Sequence, residues 1–368
     1  MKRLSLMVVL VIAVVVALYV PMAQAEQKPL VTNDSGSILT DRLPVLPENN
    51  VVQQSVVTST ESMTSTESMT PTVMYMQMGG DPGIASVLAR TNGAKAAAAA
   101  LGIELHEQYS SWDQQKMIDA FKEAIAAHPD CIEIMGHPGE EALMPLVDEA
   151  VAAGIVVTSG NNPMPNIEAK YKDQGFGYAG ADLHAGGYLT GQAMVAAGLK
   201  AGDEAVVYDI WHQELRSRSS QGVYDALTEA GLKVDKLDVS QEVDSEASLA
   251  IPILTAYIEA HPNLRAIGTQ HGQMTAILPT ILEQAGKQPG DIIVGGIDLG
   301  PETVAAIKEG WISASFDQAL YLQGFYPVQQ CWLTKNYFYP GLHLDTGVGT
   351  VNTNNVDMIA PLIEQGLR

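Results

Sequence analysis

From Thr72 onward the chain repeats one alternation, a short apolar run followed by a longer amphipathic stretch. The runs TVMYMQM, IELHEQY, CIEIMG, IVVTSG, FGYAGA, EAVVYDI, KVDKLDV, RAIGTQ, DIIVGGID and SASFDQ read as ten strands. Between them, WDQQKMIDAFKEAIAAHP, GEEALMPLVDEAVAAG and GQMTAILPTILEQAG place apolar residues near the helical spacing and stop at Gly or His-Pro. Such alternation predicts an α/β fold with parallel sheets covered on both faces. Ten strands exceed one small doubly wound sheet, and 368 residues exceed what one hydrophobic core organises. Two doubly wound parallel-sheet lobes are expected.

An internal echo supports that division. AAHPDCIEIMGHPG and EAHPNLRAIGTQHG share a helix end, His-Pro, a strand, and then a His beside Gly. Ligands of open parallel sheets collect outside the carboxyl ends of the strands. That rule nominates the loops QMGGDPG, QYSSWDQ, GHPGEE, SGNNPMPN, YDIWHQELRSR, TQHGQM, GIDLG and FDQ. They offer amides, a few carboxylates such as Asp81, Arg, His and two indoles. This inventory suits a neutral polyhydroxylated ligand, because amide, carboxylate and guanidinium groups engage neighbouring hydroxyls in pairs while a flat ring covers an apolar face.

Individual residues carry competing readings. His128 and His261 precede Pro and read as helix stops, whereas His137 and His271 follow strands, where ligand hydrogen bonding competes with a structural role. Trp112 and Trp211 follow strands, where stacking on a sugar competes with packing at a lobe surface; Trp311 and Trp332 read as core. Arg216 and Arg218 begin a helix, an unfavourable place for cations unless an acceptor is near, so one of them, with Arg218 preferred, is a candidate ligand donor.

Other chemistry lacks its motifs. No nucleophile elbow, phosphate loop, HExxH or paired cysteine ligands occur, so no catalytic residue, metal or cofactor is expected. GFGYAG, Gly175 to Gly180, spells G-x-G-x-x-G, but the preceding EAKYKDQ is charged rather than a buried strand. Gly177 and Gly180 therefore read as close-packing positions. A formal charge of −22 argues against a nucleic-acid surface.

Lys2 and Arg3, the apolar run Leu4 to Val20, and Ala23-Gln24-Ala25 make residues 1–25 read as an export signal. An uncleaved membrane anchor is the alternative, and both place the remainder outside the cytoplasm, in the periplasm or beyond. Residues 26–71, polar and carrying STESMT twice in tandem, read as a disordered linker. Export permits a disulfide between Cys131 and Cys331, but two cysteines in apolar stretches read first as buried free thiols.

GAKAAAAALGIEL, GIVVTSGNN, YAGADLHAGGYLTGQ, AHPNLRAIGTQHGQM, IIVGGID with PETVAAIKEGWISAS, and DQALYLQG occur in this order across nearly the whole domain. In them the chain resembles the periplasmic sugar-binding proteins of ABC importers, the group of ribose- and galactose-binding proteins with the type I periplasmic binding fold. The resemblance implies ligand contacts from Asn161 and Asn162, from His271 and Asp298, and from Gln318. Two departures stand out: GGDPGIAS lacks the aromatic pair that commonly sandwiches the sugar, and the usual helix arginine is Ser219, with Arg218 beside it.

The resemblance further implies a three-segment hinge joining a lobe of residues 72–181 plus 319–344 to one of 182–318 plus 345–368. The expected function is capture of a monosaccharide or polyol for delivery to an ABC transporter permease by a monomeric, non-enzymatic receptor. The alternative is a receptor for a furanose-like signalling molecule or nucleoside in chemosensing. A sugar-responsive repressor shares the lobes, but the export signal and the lack of a basic helix-turn-helix oppose it.

Overall fold

A computed structural model describes residues 72–347 and 349–368. The expected export signal and linker lie outside the described residues. The first run comprises β1 (Thr72–Gly79), α1 (Ala85–Leu101), β2 (Ile103–Tyr109), α2 (Gln114–Ala126), β3 (Cys131–Met135), α3 (Glu140–Ala152), β4 (Val156–Gly160), α4 (Pro165–Tyr171) and β5 (Tyr178–Gly180). The second comprises α5 (Leu183–Ala196), β6 (Glu204–Asp209), α6 (Arg218–Glu229), β7 (Lys233–Asp238), α7 (Gln241–Ser245), α8 (Ala250–Ala260), β8 (Leu264–Thr269), α9 (Gly272–Gln284), β9 (Ile293–Ile297), α10 (Pro301–Glu309) and β10 (Ala314–Asp317). The chain ends with α11 (Leu320–Tyr337), β11 (His343–Asp345), β12 (Gly349–Val351) and α12 (Val356–Glu364).

These elements build two six-stranded sheets, ordered β11-β5-β4-β3-β1-β2 and β12-β10-β9-β8-β6-β7. All pairings are parallel except β10 with β12, which is antiparallel. The all-buried β3, β4 and β9 are the apolar runs that strands covered on both faces require. β7, at an edge, exposes most of its residues. The ten strands expected from periodicity are all present; β11 and β12, three residues each, are too short to show a period. The chain passes between the sheets after β5, after β10 and between β11 and β12.

Each sheet is braced beside these crossings by a pair of helices that meet through glycine. A side chain at Gly93 of α1 would overlap the Tyr321 carbonyl of α11, and one at Gly324 of α11 would overlap the Arg90 carbonyl. In the second sheet, Gly187 of α5 meets the Ser219 carbonyl and Gly222 of α6 meets the His184 carbonyl. Backbone approach this close admits only glycine. It fixes Arg90 and Ser219, both of which line the cleft described below.

Two expectations are settled by packing. Cys131 and Cys331 form a disulfide between β3 and α11, with 6.0 Å between Cα atoms, rather than remaining free thiols. The reason is topological, because α11 returns across the first sheet and covers β3. Gly180 leaves space that the Tyr178 hydroxyl occupies, and a Cβ at Gly177 would lie 3.0 Å from the Leu342 carbonyl oxygen, as close-packing glycines require.

Candidate functional site

The carboxyl ends of the strands in both sheets border one cleft of about 920 Å³, part of it continuous with solvent. The backbone is unusual around it. Of the eight non-glycine residues with positive φ among the described residues, Trp112, Asn161, His271 and Asp298 line the cleft, and Ala319 sits at a sheet crossing. Left-handed backbone at such side chains stores strain that surrounding structure must hold, a pattern that clusters at functional positions.

The first wall begins with Trp112. Its indole lies against Gly79 and Gly80, where any side chain would overlap the ring, and it stacks on His137 with centroids 5.5 Å apart. The paired glycines at the end of β1 are thus the seat of an indole supplied by the loop after β2. His137 Nε2 lies 2.8 Å from Asn161 Oδ1, while Asn161 Nδ2 donates to Gln323 Oε1 at 3.3 Å. An amide oxygen accepts, so Nε2 bears the proton. Burial, then the charge of Arg216, lowers the imidazole pKa to about 4 despite the bond to Asn161, so His137 is neutral at neutral pH. The Tyr178 hydroxyl donates to the Asn161 carbonyl at 2.8 Å and steadies its left-handed turn. Asn162 is buried beside it and lines the cleft.

The second wall is organised by Asp244 and Asp298. Asp244 takes Arg216 Nη2 at 2.7 Å, Gln270 Nε2, and His271 Nε2 at 3.3 Å. Burial pushes its carboxyl up, but His271 and Arg216 outweigh that and hold it at about 2, so it is ionised. His271 caps α9 by accepting the Met274 N–H on Nδ1 at 3.3 Å, which leaves Nε2–H for Asp244. Asp298 accepts from Gln318 Nε2 at 2.6 Å and from the Gly272 N–H at 3.2 Å. Burial raises its pKa, against the pull of Gln318, His271 and Gly272. Gln318 Oε1 is buried without a partner.

The structure therefore gathers Trp112, His137, Asn161, Asn162, His271, Asp298 and Gln318 into one cleft. Three expected residues lie elsewhere. Trp211 Nε1 donates to the Val207 carbonyl at 3.1 Å, and its ring packs edge-on against Tyr224 beneath Lys236, so it covers β6 and β7 instead of facing the cleft. Arg218 is half-buried at the start of α6 outside the lining, whereas Arg216 lines the cleft because Asp244 draws it there. Asp81 is exposed and accepts from the Ser111 hydroxyl at 2.7 Å.

Sequence reasoning missed Arg90, Asp244 and Gln270, which also line the cleft. Asp244 follows β7, and the strand-end rule would have found it had that loop been included. Arg90 sits inside a helix, where no loop rule applies. Among the described residues no group of three or more His, Cys, Asp or Glu side chains is placed to hold a metal, and no helix is long and apolar enough to cross a membrane.

Residues 89–334 match the sequence model of the periplasmic binding protein domain family. The xylose/arabinose-binding protein of Sulfolobus acidocaldarius is 25% identical over 219 residues, covering 56% of this chain and 53% of that protein. The D-ribose/D-allose-binding protein of Pseudomonas aeruginosa is 26% identical over 218 residues, covering 59% of this chain and 66% of the relative. The chain thus matches less than two thirds of either curated relative's length. A carbohydrate transporter from Acidothermus cellulolyticus, solved in complex with myo-inositol, superposes with a TM-score of 0.69 at 22% identity, over 81% of this chain and 100% of the other. The fold is that of type I periplasmic binding proteins.

Proposed function

Because the chain belongs to the periplasmic binding protein domain family, we propose that it is an extracytoplasmic solute-binding protein that captures a monosaccharide or related polyol between two lobes and delivers it to an ABC transporter permease. One arrangement supports this most: the Asp298–Gln318 pair, with Gln318 Oε1 unpartnered, lines the same cleft as the Asn161–Asn162 amides and the Trp112 indole. A hydroxyl both donates and accepts, so neighbouring hydroxyls satisfy carboxylate and amide groups together while a ring face meets an indole. The cleft cations favour a neutral ligand, since Arg90 and Arg216 already pair with Glu133 and Asp244.

In this reading the lobes are residues 72–181 plus 319–344 and 182–318 plus 345–368, and the three crossings serve as a hinge. A ligand touching both walls biases closure, and the closed monomer presents the surface a permease distinguishes. Thermal melts with xylose, arabinose, D-ribose, D-allose, myo-inositol and nucleosides test the proposal. A saturable upward shift with a sugar or polyol, without its consumption, is expected. No shift with any of them, or turnover of the ligand, contradicts it; a shift with nucleosides alone moves the ligand class.

A further inference from the structure

Arg90 and Glu133 form an ion pair at the base of the first wall, 1% and 0% exposed. Arg90 Nη2 lies 2.5 Å from Glu133 Oε1, and Nε donates to the Gln77 carbonyl at 3.3 Å. The guanidinium thus spans the carboxyl ends of β1 and β3. β4 ends in Gly160, where a Cβ would lie 2.6 Å from Glu133 Oε1 and 3.0 Å from Arg90 Nη1. Only glycine leaves room for the pair, directly before Asn161 and Asn162.

Stability does not explain this pair. Two buried charges lose more hydration than a well-packed apolar pair of similar size would, so a buried ion pair is weak support for a fold. Nor is the pair internally complete: Arg90 Nη1 and Glu133 Oε2 are both enclosed without a partner, and of the two residues Arg90 is the one that lines the cleft. A buried guanidinium N–H left unpaired costs more than its bond would contribute.

We propose that Arg90 is a ligand-binding residue whose Nη1 donates to an oxygen of the bound sugar or polyol, and that Glu133 is the positioning residue that holds the guanidinium and neutralises it. The assignment rests on the sugar-binding reading and deepens it to a class, neutral sugars over the corresponding sugar acids. A hydroxyl or ring oxygen accepts from Nη1 without bringing a second negative charge to Glu133. A carboxylate there would compete with Glu133 for one cation and leave a buried negative charge in excess.

Calorimetric titration of D-ribose, D-xylose and myo-inositol into the wild-type protein, Arg90→Lys, and the double variant Arg90→Met with Glu133→Met tests this. Wild type binds at least one probe, and both variants bind it at least ten-fold more weakly. The double variant removes both charges, so no buried ion is stranded; should it fail to fold, Arg90→Lys keeps the charge and removes the fork. Glu133→Gln supplies a readout that a merely structural pair would not move: affinity for the sugar acid, D-ribonate or D-xylonate, rises relative to the neutral sugar. Unchanged affinity in a folded Arg90→Lys or double variant overturns the assignment while leaving sugar binding intact. A wild type that binds none of the probes overturns the sugar reading and the assignment together.

Discussion

Cys131 of β3 and Cys331 of α11, separated by 200 residues of sequence, are joined by a disulfide. The loop it closes contains β4, β5 and the second run from α5 to β10. The bond therefore anchors the helix that re-enters the first sheet after the second crossing. It also keeps α11 against α1, where Gly93 and Gly324 interlock and Arg90 starts towards the cleft.

Reduction should destabilise the protein substantially without abolishing the cleft. Loop-closure entropy for a ring of this length amounts to roughly 5 kcal/mol as an upper figure. Denaturant unfolding with and without reductant, and of Cys131→Ala with Cys331→Ala, is expected to show a lower midpoint in the reduced and substituted forms. An unchanged midpoint would mean that the first sheet does not depend on the bond.

Trp112 should report ligand directly. Its ring is fixed between the Gly79–Gly80 seat and His137, so a sugar arriving in the cleft alters its surroundings. Trp112→Ala is expected to weaken binding by about two- to ten-fold, the scale of roughly 0.5–1.5 kcal/mol for an aromatic contact. Trp211→Ala, on the far side of β6, is expected to leave affinity unchanged. Equal losses in the two variants, read by titration, would remove Trp112 from the ligand's surroundings.

Stability should carry the signature of Asp209 at the end of β6. Burial, opposed by Ser220 and the Ile210 N–H, pushes its carboxyl up to about 7 from 3.8, and Oδ2 has no partner. The folded state therefore retains a proton that the unfolded state has lost between about pH 4 and 7. Stability from this group falls as pH rises through that window and stays low above it. Asp209→Asn removes the titration, so its melting temperature should exceed wild type at pH 8 by an amount that shrinks towards pH 4. A pH-independent difference would show that Asp209 is ionised in the folded protein.

Much of this architecture was legible because its signals are periodic. Apolar runs such as IVVTSG must be buried on both faces, and their alternation with amphipathic helices leaves few folds open. The strand-end rule nominated the loops that carry Asn161, Asn162, His271, Asp298 and Gln318, because parallel strands deliver their following residues to one edge of a sheet; the choice of those residues within the loops came from the family resemblance. Trp112 and Trp211 looked equivalent by the same rule. What separates them is a cross-strand fact, the space left by Gly79 and Gly80 against the acceptor offered by the Val207 carbonyl. The disulfide and Arg90 were out of reach for a related reason. The first depends on α11 returning over β3, 200 residues away, and the second on Arg90 reaching Glu133 across the sheet, and no local pattern encodes either contact.

Asp298 joins the second wall to Gln318 at the crossing, its carboxyl accepting from Gln318 Nε2. Calorimetric titration of the sugar giving the largest melting shift into wild type and Asp298→Ala, each first shown to be folded by its thermal transition, is the most direct test. One site per chain in the wild type and loss of measurable binding in Asp298→Ala are predicted. Equal affinity in the two proteins would contradict the claim that this cleft captures the sugar.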